Sequence, residues 1–327
     1  MPSHPSSPAL LHAHDHGGDG PPLVLLHGAG RSLADWAATA PLLTRRHRVL
    51  AVDLPGHGGS EHATDTWTFD GVVASIEQTL ATYGIPEAIP VGHSLGGIVA
   101  LRYAARHGGT TPHSTPRTTP NPTPRTTPAA VNLDGFWWGR GNPADYPGLT
   151  PATVTESVAR IGELMRAAAG QLAGADHVHQ QATYAEQFGI PYARSEAAAR
   201  GAVRELPDGR FQTLPVRERA LEMYAALDAL DLMALVRSVP CPVLCVRGRR
   251  PQPPMPGMEW FEELTAAYAR GLDRDLAEAA GAVAAAGRGP LVVEDVDATH
   301  AMLLEEPEEI AERVLAFTSH ACRPEGD

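Results

Sequence analysis

Short, wholly apolar runs recur along this chain, separated by stretches with helical periodicity. Leu23–Leu26 and Val49–Val52 are continuous and apolar, as a strand covered on both faces must be. Similar runs occupy 88–91, 242–246 and 291–293, and Val131-Asn132-Leu133-Asp134 restarts the sheet pattern. Residues 36–43, 69–83 and 98–106 carry the amphipathic spacing of helices, and 308–317 reads as a closing helix. Strands alternating with helices predict an α/β fold: a mostly parallel, doubly wound sheet with helices on both faces. Residues 9–14 suit a short edge strand. Pro90 is out of keeping with a central strand, because proline gives no ladder donor.

The pattern changes after residue 135. Residues 136–237 show helical signals and no strand spacing. Thr150-Pro151 reads as an N-cap with proline at the first helical position, Ser195 as a possible second cap, and 216–230 as a further helix. A block of helices between two sheet strands predicts a cap. The expected organisation is a core of 9–135 and 238–320 with a helical cap of 136–237. A long helix over 259–286 is expected to break at Gly271. Residues 109–128 are almost entirely Thr, Pro, Ser and Arg, with Thr-Pro-Arg-Thr-Thr-Pro at 115–120 and again at 123–128. That composition predicts a disordered insert in a surface loop of the core.

Composition narrows the classes. A chain of 327 residues, 43% of them hydrophobic, can bury a large core. A net charge of −12 argues against nucleic acid and anionic membranes as partners. No lysine occurs, which with abundant Ala, Gly and Pro fits codon bias. Of the three cysteines, Cys241 and Cys245 would stand roughly 13 Å apart on a strand, too far to bridge. A reducing cytoplasm is the expected compartment. His12, His14 and His16 alternate, which fits an exposed strand face better than a metal site without further ligands nearby.

Candidate chemistry centres on Gly92-His93-Ser94-Leu95-Gly96, between a strand run and a helix run. Strand, G-x-S-x-G and helix in that order make a nucleophile elbow, with the serine raised on a sharp turn. Three other segments accompany it: His27-Gly28-Ala29-Gly30, with Ser32 and Trp36 after it; Asp53-Leu54-Pro55-Gly56-His57-Gly58-Gly59-Ser60; and His300 shortly before Glu306-Pro307-Glu308. In this order the four motifs resemble the α/β-hydrolase family, over about residues 20–106, 129–135 and 239–318.

The resemblance implies Ser94 as nucleophile and His300 as general base, because a serine hydroxyl needs a base with a pKa near working pH. It implies the backbone N–H groups of Ala29 and Leu95 as oxyanion donors. In many members an aspartate follows the strand ending here at Arg247, but this chain has no carboxylate there until Glu259. Other members carry the acid after the preceding strand, where Asp134 stands before Gly135. Asp134 and Glu259 both remain candidates. Phe136, Trp137 and Trp138, at the entrance to the expected cap, would line an apolar substrate pocket or pack the cap on the core. The implied activity is cleavage of an ester, thioester or lactone of a small, fairly apolar molecule, with no cofactor and no metal. Alternatives are a lyase, cyclase, epimerase or perhydrolase on the same fold, or a silent binding protein.

Overall fold

The computed structural model describes residues 9–60, 66–108, 127–137, 141–251 and 256–321. The strands are β1 (Ala13–Gly17), β2 (Leu23–Leu26), β3 (Val49–Val52), β4 (Ile89–His93), β5 (Ala130–Leu133), β6 (Leu172–Ala173), β7 (Val203–Glu205), β8 (Phe211–Thr213), β9 (Val243–Gly248) and β10 (Leu291–Val296). The α-helices are α1 (Ala40–Leu43), α2 (Phe69–Thr82), α3 (Leu95–His107), α4 (Pro151–Ala168), α5 (His177–Glu186), α6 (Tyr192–Gly201), α7 (Arg217–Asp228), α8 (Leu232–Ser238), α9 (Glu259–Ala285), α10 (Met302–Glu305) and α11 (Pro307–Ala321).

Among the described residues, seven strands form one sheet in the order β1-β3-β2-β4-β5-β9-β10. β1 is antiparallel to β3, and the other pairs are parallel. The apolar runs are continuous because alternate residues enter different cores. Val24, Leu26, Leu50 and Val52 pack with α2, α3 and α8. Leu23, Leu25, Val49 and Ala51 pack with Trp36 of the 33–36 turn, α1, α10 and α11. Every residue of β2 and β3 is fully buried. β4 is central despite Pro90, and its ladder with β5 begins one residue later, at Val91.

The segment between β5 and β9 differs from the strand-free block expected for it. It holds α4 to α8 and a small antiparallel sheet in the order β6-β8-β7. Strands of two or three residues are too short to show alternation. A Pro207-Asp208-Gly209 turn joins β7 to β8, with Leu206 N donating to Arg210 O at 2.8 Å. Thr150 caps α4 as expected. Ser195 caps nothing. It lies inside α6, which starts directly after Pro191, because the residue before a proline is driven out of helical conformation. α9 runs unbroken through Gly271, where a Cβ would come within 2.2 Å of the Asp145 carbonyl oxygen. The glycine there provides room for a close contact. It does not end the helix.

The block rests on the C-terminal ends of the sheet strands. Arg194 of α6 donates to the carbonyl of Leu304 in α10 at 2.6 Å, and Trp67 N donates to Glu222 of α7 at 2.8 Å. Residues 109–126 of the Thr/Pro-rich insert fall outside the described residues, and their flanks Gly108 and Thr127 meet in a parallel bridge. Among the described residues, no helix is long and apolar enough to cross a membrane.

Candidate active site

Ser94 sits between β4 and α3 with φ of 54° and ψ of −120°, a conformation that L residues rarely adopt. Two glycines allow so tight a turn. A Cβ on Gly92 would lie 1.9 Å from Gly96 O, and one on Gly96 would lie 2.1 Å from Leu26 O. The turn is held by Ser94 N donating to Leu133 O and by Gly97 N donating to Ser94 O, both at 2.9 Å.

Asp134 follows β5, also at positive φ, 51°. Buried Asn132 pins this turn: its Oδ1 accepts from Gly135 N at 2.7 Å, and its Nδ2 donates to Gly135 O at 3.1 Å. His300 follows β10 in the loop before α10. Its Nδ1 is 2.7 Å from Asp134 Oδ2 and its Nε2 is 3.0 Å from Ser94 Oγ. Asp134 accepts at Nδ1, which leaves Nε2 to take the serine proton. Burial works against the charge on Asp134, but the hydrogen bond and charge of His300 outweigh it and hold the carboxyl below its ordinary value. The structure thus brings Ser94, Asp134 and His300 into one relay. Glu259 is not part of it. It stands exposed at the start of α9, accepting from Gly257 N at 3.0 Å.

His93 adds a contact that the sequence did not reveal. It is 6% exposed, and its Nε2 donates to the backbone carbonyl of His300 at 2.8 Å. The residue beside the nucleophile therefore fixes the loop that carries the base. Burial foremost, then the charge of His300, pushes the His93 ring down to about 3, so it is neutral.

The loop after β2 is braced by two buried, neutral histidines. His27 Nε2 accepts from Leu54 N at 2.9 Å, so its Nδ1 donates to Gly28 O at 2.8 Å. His57 Nε2 accepts from Gly30 N at 3.1 Å while Nδ1 donates to Pro55 O. Burial drives His27 well below its ordinary value and His57 down to about 4. Asp53 braces the same region by accepting from Leu33 N and Gly59 N. Among the described residues, no protein group accepts from the N–H of Ala29 or Leu95.

A cavity of about 260 Å³ opens over Ser94 and His300, with Ala29, His93, Ala301, Leu303 and Leu304 in its wall. Of the aromatic residues expected either to line the pocket or to pack the cap on the core, Phe136 and Trp137 are not in this wall. Phe136 has Arg247 over its ring at 5.9 Å and packs on the core. Trp137 stacks on Tyr224 with centroids 6.3 Å apart, and its Nε1 donates to Asp228 at 2.8 Å. It borders a separate cavity beside α4 and α7. Trp138 lies outside the described residues. Arg247, 4% exposed at the end of β9, pairs with Asp273, so a cation stands near the position where the resemblance led one to look for the acid. The Cys241 and Cys245 thiols are buried and pushed up to about 12, which leaves them unreactive.

The chain is similar to known proteins. A family model described as alpha/beta hydrolase fold matches residues 21–119. A pimeloyl-[acyl-carrier protein] methyl ester esterase from Methylococcus capsulatus is 30% identical over 243 residues, which are 71% of this chain and 77% of that one. A 2-succinyl-6-hydroxy-2,4-cyclohexadiene-1-carboxylate synthase from Escherichia coli is 42% identical over 99 residues, 30% of this chain and 38% of the synthase. Several curated relatives are matched over only 26–38% of their own length. The crystal structure of E-2-(acetamidomethylene)succinate hydrolase superposes with a TM-score of 0.63 at 22% identity, covering 94% of this chain and 95% of that one.

Proposed function

The chain belongs to the α/β-hydrolase family, and from that premise we propose that it is a serine hydrolase working through an acyl-enzyme on Ser94. Its substrate is an ester, thioester or lactone whose body is largely apolar. The observation that carries this reading is the continuous relay from Ser94 Oγ through His300 to Asp134, at 3.0 and 2.7 Å, at the foot of a cavity.

The proposed steps use this geometry. Ser94 attacks the scissile carbonyl carbon while its proton passes to His300 Nε2. Asp134 holds the Nδ1–H tautomer and stabilises the imidazolium that forms. The carbonyl oxygen, now negative, receives the N–H groups of Ala29 and Leu95, backed by the N-terminus of α3. Collapse of the tetrahedral adduct expels the leaving group, which His300 protonates. Water, deprotonated by the same ring, then releases the acid. α4 to α8 with the small sheet act as the cap that limits access.

Labelling with a fluorophosphonate probe followed by peptide mapping tests the reading. Labelling is expected at Ser94, abolished in Ser94→Ala, strongly slowed in Asp134→Asn and unchanged in Glu259→Gln. Absence of labelling in folded protein would overturn it and favour a non-hydrolytic reaction on the same fold, as the match to a synthase allows.

A further inference from the structure

The cavity over Ser94 has a charged wall that the acyl-transfer steps do not use. Arg31 follows the oxyanion loop, and Asp35 lies one helical turn on. Arg31 Nε donates to Asp35 Oδ2 and Nη2 to Asp35 Oδ1, both at 2.8 Å. The Asp35 side chain is 4% exposed and that of Arg31 33% exposed, so the pair is an internal one whose arginine is partly open. Burial disfavours the guanidinium charge, and Asp35 more than offsets that, so Arg31 holds its proton more firmly than usual.

Asp35 occupies the side of the fork made by Nε and Nη2. The end made by Nη1 and the second hydrogen of Nη2 is taken by no protein group among the described residues. Arg31 and Ala29 both line the Ser94 cavity and a second one of about 380 Å³ beneath the inserted block, bounded also by Met165, Ala168, Leu214 and Tyr224. Arg31 is thus a gatepost between the two spaces. It is close to the nucleophile, since a Cβ on Gly28 would lie 3.1 Å from Ser94 Cβ and 3.6 Å from Arg31 Cγ. A second guanidinium, Arg194, is tied to the Leu304 carbonyl in the cavity wall and has no carboxylate partner among the described residues.

We propose that Arg31 is a specificity determinant that receives an ionised carboxylate on the substrate, a few bonds from the scissile carbonyl. The preferred substrate is then a half-ester or half-thioester of a dicarboxylic acid, with its apolar part directed into the second cavity. This rests on the hydrolase reading for the word ester, though not for the binding itself. A planar, pre-oriented fork with two parallel N–H groups matches a carboxylate in two-point geometry. Asp35 orients the fork and lowers its net charge, so the site discriminates by charge-assisted hydrogen bonds more than by bare charge.

The test needs no turnover. Monohexyl succinate and its uncharged counterpart hexyl methyl succinate are titrated calorimetrically into Ser94→Ala protein. The acid is expected to bind about tenfold more tightly or better. Adding Arg31→Gln should bring the ratio to about one. Because that change strands the buried Asp35 carboxylate, Arg31→Gln with Asp35→Asn serves as a second variant lacking both charges, with the same result expected. Asp35→Asn alone should raise the preference for the acid, since the guanidinium loses its neutralising partner. Equal binding of acid and ester, or a preference that survives removal of Arg31, overturns the proposal. Discrimination by Arg31 in a protein whose Ser94 never labels would sink the hydrolase reading and leave this one standing.

Discussion

At the scale of single residues, the proposed mechanism gives a few side chains one job each, set by a contact. Asp134→Asn keeps the shape of the turn but presents a neutral group to His300 Nδ1. The expected outcome is a fall in kcat of about 10²–10⁴ with little change in KM, measured on any turned-over ester. The buried histidines give a stability prediction. His57 is held neutral, at about 4 against 6.5 for a free ring, with burial the dominant cause. Its folded value is depressed, so its contribution is fully present above pH 6.5, shrinks as pH falls through that value, and is gone below about 4. The slope is about 1.4 kcal/mol per pH unit for each such ring. His57→Asn should therefore cost less stability at pH 4.5 than at pH 7, measured by urea denaturation. An equal cost at both would show that His57 titrates normally in the fold. Ser94 and His300 were legible in the sequence as candidates because local motifs mark them. The choice between Asp134 and Glu259 was not, because it depends on which strand end lies beside His300. Asn132, Asp35 and the bond from His93 to the His300 carbonyl carried no local signal at all.

At the scale of elements, periodicity performed best where an element is buried on both sides. Leu23–Leu26 and Val49–Val52 appear with the bounds expected, since each residue of these strands must be apolar. It failed where elements are short or where a glycine has two meanings. The small sheet of β6, β7 and β8 left no alternation to read. Gly271 reads as a helix breaker by propensity, but the contact of α9 with Asp145 explains it. A pair of substitutions separates these effects. Gly281, also inside α9, would place a Cβ in open space, so Gly281→Ala should stabilise by about 1 kcal/mol. Gly271→Ala makes the same gain in propensity but drives a methyl into a backbone carbonyl, and should destabilise by about 1–3 kcal/mol. Thermal melts of the two variants shifting in the same direction would refute this account.

At the scale of the whole molecule, the sheet of the described residues is packed by two cores, one on each face, and the Thr/Pro-rich segment lies in the chain between α3 and β5. Its flanks are joined by Thr127 N donating to His107 O at 3.0 Å and by the bridge between Gly108 and Thr127. Replacing residues 109–126 with a short Gly-Ser linker should leave the melting temperature and ester turnover unchanged. A marked drop in either would show that the segment contributes to the fold or the site. The edge strand expected over 9–14 lies instead at Ala13–Gly17. The sequence by itself determined the α/β class and the parallel strands of the central sheet, and it marked Ser94 and His300 as candidates. Those depend on local periodicity and on motifs contiguous in the chain. Only the tertiary structure decided that Asp134 meets His300, that Arg31 with Asp35 walls the cavity, and that Phe136 and Trp137 lie away from it. Each of these is a meeting in space, and for residues far apart in the chain such a meeting depends on how strand ends and the inserted block pack together, which no local pattern encodes.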